Sequence, residues 1–252
     1  MTARFSGKVV LVTGGGSGLG RVTALAFARE GATVVVAGRR APALDETVTL
    51  IEDEGGRASA VPADVTSSED AARLVSTTVE RHGGLHIAFN NAGIVEAGPL
   101  AEMDEAAWDR LLAVNLTGVF LCMKHQIAHM RAHGGGVIVN TSSAVGAHRR
   151  VPSLGAYGAT KAAVGALTRT AAMEYAGDGI RINAISPGPL DTPMSLRPGE
   201  TEADRAGRLR NELPAGRVGD LSEAASAVLW LASPEAAFTV GHDLVVDGGA
   251  SL

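Results

Sequence analysis

The chain has 252 residues, 46% hydrophobic and 19% charged, which suits one sizeable α/β domain and excludes a disordered chain. Its net charge of −5 argues against nucleic acid or an anionic membrane surface as an obligatory partner. The single cysteine, Cys122, forbids an internal disulfide and fits a reducing compartment. With no targeting segment recognisable around the short apolar run Val9–Val12, the cytoplasm is the expected address.

The first strand is expected near Val9–Val12 and runs into Thr13-Gly14-Gly15-Gly16-Ser17-Gly18-Leu19-Gly20, where a helix near Gly18–Arg29 begins. Glycines at such a turn let the backbone approach a pyrophosphate, with free N–H groups facing its charge. The spacing satisfies neither G-x-G-x-x-G nor a Walker loop, since Arg21 follows, and a tight structural corner is the alternative. A second strand near Thr33–Ala37 ends in Gly38-Arg39-Arg40. A carboxylate here would accept from ribose hydroxyls; Gly38 replaces it, so Arg39 points to a 2′-phosphate, the alternative being two solvated arginines. After a helix near Pro42–Glu54 and a strand near Ser59–Pro62 comes Asp64, which would accept from an adenine amino group or cap the helix near Ser68–Arg81.

The fourth strand, near Ile87–Asn90, ends in Asn90-Asn91-Ala92-Gly93, and a long helix follows near Glu105–Arg131. His125, His129 and His133 recur on that helix, but no carboxylate or cysteine joins them, so no metal site is expected. The fifth strand, near Val137–Asn140, leads to Thr141-Ser142-Ser143. A helix near Ala156–Ala176 then carries Tyr157 and Lys161 four residues apart on one face. A free tyrosine is a poor acid–base catalyst at neutral pH, and a nearby ammonium lowers its pKa; such pairs are also common on plain helix surfaces. This helix is rich in Ala and Gly nearly all round, which implies cover on several sides from a deep core or a subunit interface. The sixth strand, near Arg181–Ile185, enters a Pro-rich excursion at about 186–215 with one short helix near Glu202–Asn211, read as a substrate lid. A helix near Ser222–Ala232 and a strand near Asp243–Val246 close the chain.

Repeated β–α alternation with near-continuous apolar strands implies an α/β fold: a Rossmann-type, doubly wound parallel sheet of about seven strands flanked by helices on both faces. No linker interrupts it, so residues 1–252 are expected to form a single dinucleotide-binding domain.

In the order and spacing of these motifs the chain resembles the classical short-chain dehydrogenase/reductase family from Gly7 to Gly249. The resemblance rests on Thr13–Gly20, Asn90–Gly93, Asn115, Ser143–Gly146, Tyr157/Lys161, Pro187-Gly188 and the closing Val246-Asp247-Gly248-Gly249. It implies an oxidoreductase moving a hydride between a nicotinamide cofactor and a carbonyl or secondary alcohol. In that reading Tyr157 exchanges the proton, Lys161 lowers its pKa and holds the ribose, Ser143 bonds the substrate oxygen, and Asn115 positions a relay water. The cofactor would lie against Gly14, Ser17, Gly18 and Leu19, with Asp64 and Val65 at the adenine and Asn91, Ala92 and Gly93 near the ribose. Pro187, Gly188, Leu190 and Thr192 would hold the carboxamide. Arg39 favours NADP(H), with NAD(H) as the alternative. Compared with the family pattern, the loop from Ser143 to Tyr157 is about one residue longer and contains His148-Arg149-Arg150. The resemblance also extends to 3-oxoacyl-carrier-protein reductases, for which Arg131, Arg149 and Arg150 would supply a basic entrance. A nucleotide-sensing protein without catalysis is the reading from another class. The expected partners are a small-molecule substrate and further copies of the chain, as a homotetramer.

Overall fold

The computed structural model describes residues 3–197 and 199–252. Seven strands form one sheet: β1 (Val9–Thr13), β2 (Thr33–Gly38), β3 (Arg57–Pro62), β4 (Ile87–Asn90), β5 (Gly136–Thr141), β6 (Ile180–Pro187) and β7 (Asp243–Val246). Their spatial order is β3-β2-β1-β4-β5-β6-β7, every neighbouring pair parallel. The β-branched runs are the reason. Val10, Val12, Val34 and Val36 point into one apolar layer while Leu11 and Val35 point into the other, and all are buried. Each such side chain contributes about 1.5–3 kcal/mol through burial, so both faces require covering helices.

The first layer is closed by α1 (Gly18–Arg29), α2 (Ala41–Asp53) and α8 (Leu221–Ala232), and the second by α3 (Ser68–His82), α5 (Gly118–Ala132) and α6 (Gly155–Tyr175). Between β6 and α8 the excursion holds the lid helix α7 (Glu202–Glu212), capped by Thr201 and Asp204 in a reciprocal box. The Ala/Gly-rich helix α6 buries Ala156, Gly158, Val164, Gly165 and Ala172 but leaves Ala159, Ala166 and Met173 exposed. Within the protomer, therefore, it is covered on one side.

The long helix expected at Glu105–Arg131 is interrupted. Helix α4 (Glu105–Leu112) passes into a π-helical turn, Ala113–Thr117, before α5 begins, and the Gly118 N–H donates to Ala113 O. Such turns insert one residue and shift the backbone carbonyls off the helical ladder, commonly at functional sites. By length and apolarity the run Glu105–Ala132 matches a membrane span, yet Met123, Ile127 and Met130 are buried in the second layer, as in the core helix of a globular protein.

Chain order reverses between β1 and β4, and the crevice at such a switch point, beyond the carboxyl ends of the strands, is where open α/β sheets bind ligands. The two strand ends are tied together: Thr13 Oγ1 accepts from Asn91 N at 3.0 Å and Ala92 N at 3.1 Å.

Candidate active site

A cleft of about 1140 Å³ opens along this edge. Its floor at one end is the glycine turn. Gly14 holds φ +67°, and a Cβ there would lie 2.9 Å from Asn91 Nδ2, so only glycine fits the approach of the two strand ends. Ser17 begins α1 without a side-chain cap, and the first turn carries no acidic residue. The N–H groups of Gly18 and Leu19 thus have no preceding helical carbonyl and line the cleft. Arg21 braces the turn from behind, donating to Gly16 O at 2.7 Å and to Thr47 Oγ1 at 3.1 Å. A positive helix terminus with open donors fits an anionic pyrophosphate.

The middle of the cleft is built by β5 and α6. Lys161 is buried, and its Nζ donates to Thr141 O at 2.9 Å. The same Nζ stands 5.8 Å from the centroid of the Tyr157 ring. Burial lowers Lys161 to about 8. Burial also raises the Tyr157 phenol above its ordinary value, more strongly than its hydrogen bond with Ser143 lowers it. In the protein alone, withdrawal from water dominates at Tyr157, and the Lys161 ammonium spends one hydrogen bond on a backbone carbonyl.

Ser143 and Ser142 separate cleanly. Ser142 Oγ donates to Lys161 O at 2.9 Å and secures α6 to β5. Ser143 Oγ accepts from Val145 N at 3.1 Å and is hydrogen-bonded with the Tyr157 phenol, so the two hydroxyls face the cleft as a pair. Gly146, φ +134°, passes so close to α6 that a Cβ would lie 2.7 Å from Gly158 O. This contact presses the Ser143 turn against the turn of helix that carries Tyr157.

Asn115 sits in the π-helical turn, fully buried behind the cleft wall. Its side chain is spent on protein partners: Oδ1 accepts from Ile94 N at 2.8 Å, and Nδ2 donates to Ile94 O at 2.9 Å and to Thr160 Oγ1 at 3.3 Å. A relay water on Asn115 would therefore meet its backbone carbonyl, loosened by the π turn. A second buried network joins Asn90, Gln126, Asn140 and Thr168 across β4, β5, α5 and α6. Polar residues on otherwise apolar strands were its sequence signal, but their partners were not readable.

Asn91, Ala92 and Gly93 line the cleft together with Pro187, Gly188, Leu190 and Thr192. The Thr192 methyl is the group nearest to a Cβ placed on Gly18, at 3.7 Å, so the lid reaches across to the start of α1. Arg39, Asp64 and Val65 are not among the lining residues. Arg39 is exposed beyond β2 and has no ion-pair partner among the described residues. Asp64 Oδ1 accepts from Thr66 N and Thr66 Oγ1, at 3.0 and 2.8 Å, while Ser67 caps α3. Val65 is buried with Ala71 and Cys122.

The remaining wall consists of loops. Val151–Leu154 is a turn with Pro152 second and Ser153 third, at φ +64°, the backbone of a type II turn. Ser153 O accepts from Gly98 N at 2.8 Å. From the lid, Arg205 bonds Asp191 at 2.6 Å and Ser195 Oγ at 2.9 Å, and Arg208 clasps both oxygens of Glu200. Those bonds, with one from Arg197 N, hold Glu200 down at about 2.

The site residues include a buried hydroxyl, Thr141 Oγ1, that lines the cleft beside Lys161 and has no partner among the described residues. The open donors at the start of α1 fit an anionic ligand in the cleft and accord with a dinucleotide. A family model described as enoyl-(acyl carrier protein) reductase matches residues 14–251. The chain is 43% identical to a cis-4-hydroxycyclohexanecarboxylate dehydrogenase of Sinomonas cyclohexanicum, over 99% of this chain and 98% of that protein. It is 40% identical to a cyclohexanol dehydrogenase of Acinetobacter sp. strain SE19, over 98% and 96%. A crystal structure of a short-chain type dehydrogenase/reductase from Mycobacterium marinum superposes with TM-score 0.93 at 35% identity, covering 99% of this chain and 98% of that one.

Proposed function

We propose that this chain, which belongs to the short-chain dehydrogenase/reductase family, interconverts a secondary alcohol and its ketone on a small alicyclic frame, with Tyr157 exchanging the proton. Family membership makes it a nicotinamide-dependent oxidoreductase acting on CH–OH or C=O groups; the residue roles, substrate frame and cofactor form are our reading. The observation that carries it is the pairing of two hydroxyls, Ser143 and Tyr157, on one cleft wall with the buried Lys161 ammonium beneath.

The bound nicotinamide would supply or accept the hydride. Ser143, already accepting from Val145 N, donates its O–H to the substrate oxygen and stabilises charge that develops there. Tyr157, its pKa raised by burial, holds its proton until that same oxygen needs it, and takes it back in the oxidative direction. Lys161, held through Thr141 O, presents its remaining donors to the ribose. Asn115 fixes the backbone of Ile94 and the π turn behind Lys161. Val145, Val151, Leu154 and Met194 line the substrate end and exclude water from the reacting centre.

NADP(H) is the favoured cofactor form, because Gly38 offers no carboxylate and Arg39 is exposed without an ionic partner among the described residues. Asp64 Oδ2 and the Val65 backbone remain available to an adenine. We read residues 1–252 as one domain with its lid at about 186–215, working in the cytoplasm. A homotetramer is supported by apolar residues left outside the protomer, Phe120, Met173 and Phe238; sedimentation as a monomer at micromolar concentration would contradict it. A carrier-protein substrate has less support, since Arg131 is neutralised by Asp178 at 2.7 Å.

The test is a panel of cyclic and linear ketones and secondary alcohols, read by nicotinamide absorbance with NADPH and NADH or their oxidised forms. Turnover of cyclic members is expected. Tight cofactor binding with no turnover of any member would leave the sensing reading standing instead.

A further inference from the structure

The substrate end of the cleft carries a charge that the reaction does not use. Among the lining residues are four cations (Arg149, Lys161, Arg197 and Arg208) and two anions (Glu200 and Glu212). Lys161 is bound to Thr141 O. Arg208 clasps Glu200 and also reaches Glu212, and Arg197 pairs with Glu212 at 3.0 Å. Arg149 alone has no ion pair or side-chain hydrogen bond among the described residues, although it is half-buried. Arg149 is thus a cation on the cleft wall whose guanidinium has no anion among the described residues, and its donors are open to a ligand.

Its position is fixed by the protein. Arg149 N donates to Ala144 O at 2.7 Å, and Gly146 N donates to Arg149 O at 2.9 Å, so the residue folds back on the strand of chain leaving Ser143. The preceding side chain turns the other way: His148 Nε2 meets Asp243 Oδ2 of β7 at 2.9 Å, and Asp243 Oδ1 in turn accepts from Ser186 Oγ at 2.6 Å. His148 is thus pinned to the sheet while Arg149 faces the cleft.

We infer that Arg149 is a specificity-determining residue that binds a carboxylate carried by the substrate at a distance from its reacting carbinol or carbonyl carbon, an inference that rests on the reductase reading of the site. A planar guanidinium presents two parallel donors that match a carboxylate. A phosphate would call for further cations, and the other arginines lining the cleft, Arg197 and Arg208, are committed to Glu200 and Glu212. The surrounding Val145, Val151 and Leu154 accommodate the apolar frame between the two polar ends.

The probes are 4-oxocyclohexanecarboxylate and the neutral 4-oxocyclohexanecarboxamide, compared in wild type, Arg149→Gln and Arg149→Lys with saturating cofactor. Wild type should prefer the carboxylate. Arg149→Gln should lower its kcat/KM about ten- to a hundredfold, mainly through KM, with the carboxamide changed less than about twofold. Arg149→Lys should restore part of the preference, and cofactor KM should be the same in all three. An unchanged carboxylate/carboxamide ratio in Arg149→Gln, or an equal fall on both probes, overturns the inference while leaving the reductase reading intact. If neither ketone turns over, the ketone and alcohol panel above decides the reductase reading, and calorimetric binding of cyclohexanecarboxylate to the cofactor complex decides for Arg149 separately. Weaker binding to Arg149→Gln than to wild type supports it, and equal binding overturns it.

Discussion

At the cofactor end of the cleft the ligand-facing atoms are backbone donors and glycine turns suspended from β1 and β4, whereas at the substrate end they are side chains of loops joined by ion pairs. Gly14 is fixed by its close approach to Asn91 and Ala92, and Gly18 and Leu19 present backbone groups at the start of α1. Arg149 depends on His148 meeting Asp243, 95 residues further on, and the lid on Arg205, Arg208 and their carboxylates. A turn that offers backbone donors accepts the same dinucleotide in many proteins. A wall assembled from loop side chains can change its substrate while the first end stays as it is. The Ser143, Tyr157 and Lys161 group lies where the two regions meet.

The sharpest break in this picture is expected at Ser143. Its hydroxyl accepts from Val145 N and pairs with the Tyr157 phenol in the cleft, so Ser143→Ala should cost about 10²–10³ in kcat, comparable to loss of an oxyanion donor. Cofactor affinity should stay within a few-fold, because the glycine turn is untouched. A loss shared equally between cofactor binding and turnover would show that the two regions are not separable.

Lys161 gives an intermediate effect of opposite sign on stability. Its folded pKa, about 8 against an ordinary 10.5, means that the folded protein binds fewer protons than the unfolded chain between those values. Stability should therefore rise with pH across that window, with the full penalty present below pH 8. The shift corresponds to about 3 kcal/mol, from which roughly 1 kcal/mol is lost with the Thr141 hydrogen bond in a neutral variant. Lys161→Met should thus be inactive yet melt a few degrees higher at pH 7, and this gain should shrink as pH rises above 8. A lower melting temperature at pH 7 would show that the buried ammonium stabilises the fold.

The smallest effect is expected at the adenine end. Arg39 is exposed, so screening limits its contact with a 2′-phosphate to about tenfold in affinity. Arg39→Ala should reduce the NADPH/NADH ratio of kcat/KM by about that factor with the NADH value nearly constant. An unchanged ratio would remove Arg39 from cofactor choice.

The parts legible in the sequence are those where one short motif ends one strand. The seven strands, the glycine turn, the Asn91–Gly93 turn and the Tyr157/Lys161 spacing all depend on local periodicity, which survives without tertiary information. The π turn at Ala113–Thr117 was not legible, because one inserted residue leaves the apolar pattern of Glu105–Arg131 looking like continuous helix. The burial of Tyr157 was not legible either, for a related reason. Spacing reported a nearby ammonium, but burial and the Thr141 carbonyl decide the energetics. The exposed half of α6 was hidden as well, since small residues pack equally well against the sheet and against another subunit.

The claim that most of this account depends on is that Tyr157 exchanges a proton at a carbonyl that Ser143 also holds. The direct measurement is kcat on a ketone turned over by the wild type, alongside the dissociation constant for NADPH, in Tyr157→Phe. A loss of at least about a thousandfold in kcat is expected, with cofactor binding within about threefold, since only the phenolic oxygen is removed. Retention of a tenth of wild-type activity by Tyr157→Phe would contradict it.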